Sequence, residues 1–150
     1  FHLEMLSALG SVPTATTLSL DACANGDLPA VLSHWDEAWC VRRHRFLNQS
    51  LVAVEEIYFN KQHANKLDVK DLHESLYLFY ETQFKFWISR VEDQIDCQIG
   101  PDWVCDALEL DRGSVLPRVR RCSWSSEDQL EEFSYTWFDP AKVNYVARWR

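Results

Sequence analysis

Residues 38–47 and 51–59 read as two extended runs set back to back across three polar residues, Asn48, Gln49 and Ser50. Runs this close in sequence can pair only antiparallel, because a parallel pair needs a crossover of a dozen residues or more. The first run contains Val41-Arg42-Arg43-His44-Arg45-Phe46 and the second Leu51-Val52-Ala53-Val54-Glu55-Glu56-Ile57-Tyr58. Alternate residues of a strand share a face, so Arg43 and Arg45 aim at one volume. Two guanidiniums held by one strand make a bidentate receptor for phosphate or carboxylate. Glu55 returns a carboxylate to the same hairpin, and the turn decides on which face. An odd number of turn residues sets Glu55 with Arg43 and Arg45; a two-residue turn sets it with Arg42 and His44.

The rest of the chain repeats the theme. Pro13 opens an extended run to Leu20, and Asn25-Gly26 turns into a short helix around Leu28 to His34, with Asp27 as its cap. Leu72, Leu76, Phe79 and Tyr80 make a helical stripe over Asp71–Glu81, with Asp71 and Glu74 placed as a capping box. Residues 86–99 read as a strand, 103–110 as a short helix after Gly100-Pro101-Asp102, and 115–124 and 130–138 as two more strands. An extended segment over 143–149 ends the chain. At the other end, Leu3, Met5, Leu6 and Leu9 fall near helical spacing, and Gly10 is a natural stop. Strand pairs with helices before and between them predict an α+β domain: an antiparallel sheet with flanking helices. The order helix, strand pair, helix, strand pair hints at a duplicated unit.

Length and charge narrow the function. A chain of 150 residues is most simply one domain, and 47% apolar content with four glycines describes a packed globule. The net charge of −8 opposes direct contact with a phosphate backbone, so any DNA contact must come from sequence outside this chain. No apolar run approaches the ~20 residues of a membrane span, and no membrane partner is expected. The five cysteines are scattered, without zinc or redox spacing, which reads as small buried hydrophobes in a reducing cytoplasm. The five histidines show no metal-ligand spacing; neither a metal nor another cofactor is expected.

Several short patterns in a fixed order give a family resemblance. They are the Phe1-x-x-x-Met5 start running to Gly10, Arg43-x-Arg45, Glu55 ten residues on, Glu74-Ser75-Leu76-Tyr77 opening a helix, and Glu132-x-Ser134 leading into Phe138. Together they resemble the UTRA domain, the effector-binding half of GntR-type transcription regulators of the HutC subfamily. The resemblance covers nearly all of residues 1–150 and implies a chorismate-lyase-like fold. It also implies a homodimer, and a winged helix-turn-helix upstream that supplies the DNA contact. The function it implies is sensing of an anionic small molecule, a sugar phosphate or an organic acid, without catalysis. A chorismate-lyase-like enzyme on the same fold is the rival.

The resemblance also assigns a site. Arg43 and Arg45 would grip the anionic end of the effector, with help from the Ser75 hydroxyl at a helix start. Backbone amides of Phe1 and His2, at the opening of the first helix, would add further donors. Glu55 and Glu132 would accept hydrogen bonds at the other end of the ligand. Phe138 stands where a tyrosine is common and would make its part of the pocket more apolar. Read without the family, Ser75 is a helix cap and Glu132, beside Glu131, a solvated strand residue. Neither glutamate is expected to be tuned toward neutral pH, as a general acid would be.

Overall fold

The computed structural model describes residues 2–5 and 12–149. Six strands form one antiparallel sheet: β2 (Pro13–Ala24), β3 (Glu37–Leu47), β4 (Ser50–Asn60), β5 (Ile88–Ile99), β6 (Val115–Ser125) and β7 (Leu130–Phe138). Their spatial order is β2-β3-β4-β7-β6-β5. Two three-stranded meanders, β2-β3-β4 and β5-β6-β7, therefore meet at β4 and β7, where the sequence hinted at a repeat of one helix with one strand pair. A separate two-stranded ribbon joins β1 (His2–Met5) to β8 (Val143–Val146).

The central hairpin solves the parity problem in an unexpected way. Its turn holds two residues, Asn48 and Gln49, both left-handed with φ of 49° and 67°. Such a pair matches the right-handed twist of the strands it joins. A two-residue turn alone would put Glu55 across from Arg42. Instead the pairing steps from Phe46↔Leu51 to Arg45↔Ala53, leaving Val52 as a bulge on β4. The Val52 carbonyl accepts instead from the Asp139 N–H, at 3.1 Å. The extra residue restores the odd count, and Arg43 lies directly opposite Glu55.

Both faces of the sheet are covered, but not evenly. On one face Tyr58, Cys40, Phe133, Val54 and Trp137 pack under Leu32 and Trp35 and under α2 (Asp102–Ala107), which contributes Val104 and Cys105. The opposite face has apolar packing at its two ends and polar residues between. At one end Trp39, Val41, Ile57 and Phe59 pack against Leu76, Phe79 and Tyr80. These last belong to α1 (Leu76–Phe79), which continues as a π-turn over Tyr80–Phe84 until Lys85 takes φ 63°. At the other end Leu47, Ala53, Val119 and Phe138 pack against Leu3 and Val143 of the ribbon. Arg43, Arg45, Glu55, Arg121, Ser134 and Thr136 occupy the middle.

Three expectations need correction. The first helix is absent at residues 2–5, which form β1 with His2 opposite Val146; Phe1 and 6–11 lie outside the described residues. Leu3 and Met5 fit a period of two as well as a helical one, and pairing with β8 while burying Leu3 at 5% exposure selects the strand. The second helix starts at Leu76, not Asp71: residues 69–71 form a separate 3₁₀ turn, in which the Asp71 carboxylate accepts from the Asp68 N–H at 2.9 Å. The helix expected over 28–34 is a 3₁₀ turn, Ala30–Leu32, with Pro29 and not Asp27 in the capping position.

Gln49 has to hold a left-handed backbone that an L side chain resists by about 1–2 kcal/mol. Gln49→Gly should therefore raise unfolding free energy by up to about 1 kcal/mol in denaturant melts. A loss of stability would contradict this account of the turn.

Candidate functional site

The polar middle of this face lines a cavity of about 510 Å³. Its walls include Arg43, Arg45, Glu55, Ser75, Arg121 and Glu132, with Thr14 and Ala15 of β2 at the rim. Five residues singled out from the sequence thus converge: Arg43, Arg45, Glu55, Ser75 and Glu132.

Arg43 is the deepest cation, 6% exposed. One of its terminal nitrogens, Nη2, donates to the Glu74 carbonyl. Its Nε is buried with no hydrogen-bond partner. A buried donor left unpaired on a charged group costs about 1–3 kcal/mol or more, and Arg120 Nε and Trp137 Nε1, which do not line the cavity, stand in the same condition. Arg45 is more open, and its Nε stands 3.7 Å from Glu55 Oε1, an ion pair too long to be a hydrogen bond. Glu74 fastens the loop over these arginines. Beyond its carbonyl bond to Arg43, its carboxylate accepts from the Ala15 N–H at 2.7 Å.

Ser75 caps α1, its hydroxyl oxygen accepting from the Leu78 N–H at 3.3 Å. The cap and the binding role are compatible, since a hydroxyl has one proton to give and two lone pairs. The same loop holds His73, whose Nδ1 accepts from the Ser75 N–H at 3.0 Å.

Glu132 forms the opposite wall and is not solvated as its neighbour Glu131 suggested: it is 5% exposed. The reason is its position on the pocket face of β7, opposite Phe59 of β4 and under the Tyr80 ring. The Tyr80 hydroxyl donates to Glu132 Oε2. Burial pushes the Glu132 carboxyl up to about 7; the Tyr80 bond opposes this, the charge of Glu55 adds to it, and Arg121 and Arg43 pull it down. The expectation that neither glutamate is tuned toward neutral pH is therefore overturned. Next to it Tyr77 Oη and Ser123 Oγ share a hydrogen bond of 2.8 Å.

Arg121 was missed from the sequence. It sits two residues from Val119 on the pocket face of β6, with both Asp93 oxygens at 2.7 and 2.8 Å. Asp93 also accepts from Tyr145 of β8 at 3.0 Å, so the ribbon is tied to the pocket wall. The signal was an arginine in the alternation of 115–124, hidden within Arg118-Val119-Arg120-Arg121. Phe138 shares the pocket face but lies outside the cavity, packed into the cluster with Leu3 and Val143. Trp137 points to the opposite face. The backbone of His2 sits in β1, so it opens no helix; Phe1 lies outside the described residues.

The UTRA domain family matches residues 8–144, and the chain belongs to that family. It is 36% identical, over its whole length, to the HTH-type transcriptional regulator SmoD of Agrobacterium fabrum, of which it spans 64%. Its fold is similar to the ligand-binding domain of a protein assigned to the GntR-family transcriptional regulators of Bordetella bronchiseptica. That match has a TM-score of 0.85 at 14% identity and covers 99% of this chain and 96% of that one. PhnF of Mycobacterium smegmatis gives 0.76 at 16% identity, over 94% of this chain and 64% of that one. The C-terminal domain of the histidine utilization repressor of Pseudomonas syringae pv. tomato gives 0.72 at 18%, covering 93% and 99%. The α+β, chorismate-lyase-like expectation thus holds.

The raised carboxyl makes a prediction for stability. The folded chain holds the Glu132 proton near 7 against an ordinary 4.5. Its contribution is fully present below pH about 4.5 and is lost as pH climbs through about 7. Over that window Glu132→Gln should gain on the order of 3 kcal/mol relative to wild type in denaturant melts. Parallel pH profiles for the two proteins would contradict the assignment.

Proposed function

We propose that this chain is the effector-sensing domain of a bacterial GntR-type transcription regulator of the HutC subfamily. The observation that carries the reading is the convergence of Arg43, Arg45 and Ser75 on one cavity with Glu55 and Glu132. Such a cavity suits a small molecule with an anionic group at one end and hydroxyl or amino groups at the other, such as a sugar phosphate or an organic acid. Arg43, Arg45 and the Ser75 hydroxyl bind the anion; Glu55 and Glu132 receive the donors.

The mechanism is linkage and not bond chemistry. A ligand that draws Arg43 and Ser75 together acts on the loop 73–75 and on α1, which Tyr80 ties to Glu132. Any difference in affinity between two placements of that helix shifts their populations. The domain works as a homodimer in the cytoplasm, with DNA reached through a winged helix-turn-helix outside these residues, as the net charge of −8 favours. No helix among the described residues is long and apolar enough to cross a membrane. The relatives and fold neighbours are regulators and not enzymes, which weighs against turnover even though Glu132 is pushed to about 7.

A panel of phosphate monoesters and short carboxylates, titrated calorimetrically, tests the reading. Arg43→Ala and Arg45→Ala should each weaken binding of any hit by ~1.5–3 kcal/mol while the far-ultraviolet circular dichroism stays unchanged. Unchanged affinity in both variants would refute the site. Recovery of the ligand in altered form would refute the sensor.

A further inference from the structure

Arg121 stands between two acids. Asp93 of β5 lies directly opposite it, and Glu132 of β7 is its diagonal neighbour, two residues before the Ser134 with which Arg121 is paired. Both positions are within reach of a side chain as long as arginine. Arg121 and Glu132 line the cavity, whereas Asp93 sits behind its wall. On the same face of β5, Val91 and Ile95 are 43 and 53% exposed, yet the Asp93 side chain is only 12% exposed.

Asp93 holds Arg121 by a fork: Nε donates to Oδ1 at 2.7 Å and Nη2 to Oδ2 at 2.8 Å. Two parallel charged hydrogen bonds fix the plane of a guanidinium as well as its position. Arg118 makes the same fork with Asp96 on the other face of the sheet. Asp93 differs in having a third donor, the Tyr145 hydroxyl of β8, at 3.0 Å from the same Oδ2. Tyr145 is paired with Leu3 of β1 and packs against the cluster of Leu47, Val52 and Val143. One carboxylate oxygen therefore joins the cavity wall, the edge of the sheet and the ribbon.

We propose that Asp93 is a positioning residue of the ligand site: it holds Arg121 against β5 and away from Glu132, and Tyr145 makes that hold depend on the seating of the β1–β8 ribbon. Resting on the sensor reading, this names a second element that responds to the cavity, besides the loop 73–75 and α1. The charge of Arg121 is divided, and what Asp93 takes is withheld from Glu132. Glu132 is faced by Tyr77 and Tyr80 of the covering segment, Arg121 of β6, Glu55 of β4 and Arg43 of β3. Of its two cations, Arg43 is bonded to the Glu74 carbonyl and Arg121 to Asp93, so burial outweighs them and the carboxyl keeps its proton. A ligand group that takes up Arg121 changes the share left to Asp93, and with it the acceptor offered to Tyr145. By linkage, a change in the ribbon alters what the cavity binds to the same degree. The proton on Glu132 is the smallest such ligand.

That proton allows a test on the 150-residue chain without any effector, by carbon-13 NMR titration of the Glu132 carboxyl. Tyr145→Phe keeps the packed ring but removes a donor from Asp93, which tightens the hold on Arg121 and should raise the proton affinity of Glu132 about two- to threefold. Asp93→Asn releases Arg121 toward Glu132 and should lower it by about threefold or more. In that background Tyr145→Phe should add nothing. Arg121→Lys keeps the charge and loses the fork, and gives a second background in which the Tyr145 effect should vanish, should Asp93→Asn fail to fold. A ribbon residue with a merely structural role would leave the Glu132 titration where it is. Unchanged proton affinity in Tyr145→Phe would overturn the coupling, as would an equal shift with and without Asp93. Either result leaves the arginine site untouched, which the ligand titrations test separately.

Discussion

One residue without a strand partner, Val52, decides which side of the sheet carries the charges. Its bulge cancels the parity of the two-residue turn and brings Glu55 opposite Arg43. The consequence spreads through β4, because Glu55, Ile57 and Phe59 are set in turn against Thr136, Ser134 and Glu132 of β7. Without the bulge the residues from Ala53 onward would turn over relative to β3, and either the charges or Ile57 and Phe59 would face the wrong side. The two ends of the same face are sealed by apolar packing, one under α1 and one under the β1–β8 ribbon. What remains between them is a polar gap in an otherwise dry layer.

That gap holds charges at an energetic cost that the folded chain only partly offsets. Arg43 keeps one nitrogen unsatisfied, and Glu132 is driven to hold its proton by the absence of water around it. A carboxyl displaced by burial and charged neighbours in a cleft is more common at functional sites than elsewhere. The tie from Tyr80 to Glu132, and the carbonyl of Glu74 on Arg43, put both walls in contact with the covering segment 74–84. Anything that binds between the walls acts on that segment directly, which is the property a sensor needs.

How much of this was legible in the sequence depended on where local pattern and tertiary demand agreed. The strands of both meanders stood out because alternation and polar turns coincide, as at Asn48-Gln49 and at 126–129. The hairpin parity was not legible, since a bulge leaves no mark on the alternation of Leu51-Val52-Ala53-Val54. The first strand was read as a helix because Leu3 and Met5 fit both periods, and only the presence of β8, 140 residues away in the chain, selects one. Arg43, Arg45, Glu55, Ser75 and Glu132 were assigned through the family resemblance and do line one cavity. Arg121 was lost among neighbouring arginines, and the burial of Glu132 depends on Tyr80 from a distant π-turn. Phe138 was placed on the right face but too far along it, where the ribbon covers the sheet.

On the proposed reading, the guanidiniums of Arg43 and Arg45 together anchor an anionic ligand. A crystal structure of the chain with a phosphate monoester or carboxylate that binds it in solution tests this most directly. An anionic oxygen is expected within about 3 Å of a guanidinium nitrogen of Arg43, with Arg45 and Ser75 on the same group and the ligand's donors turned toward Glu132. A ligand seated elsewhere, touching neither guanidinium, would contradict it.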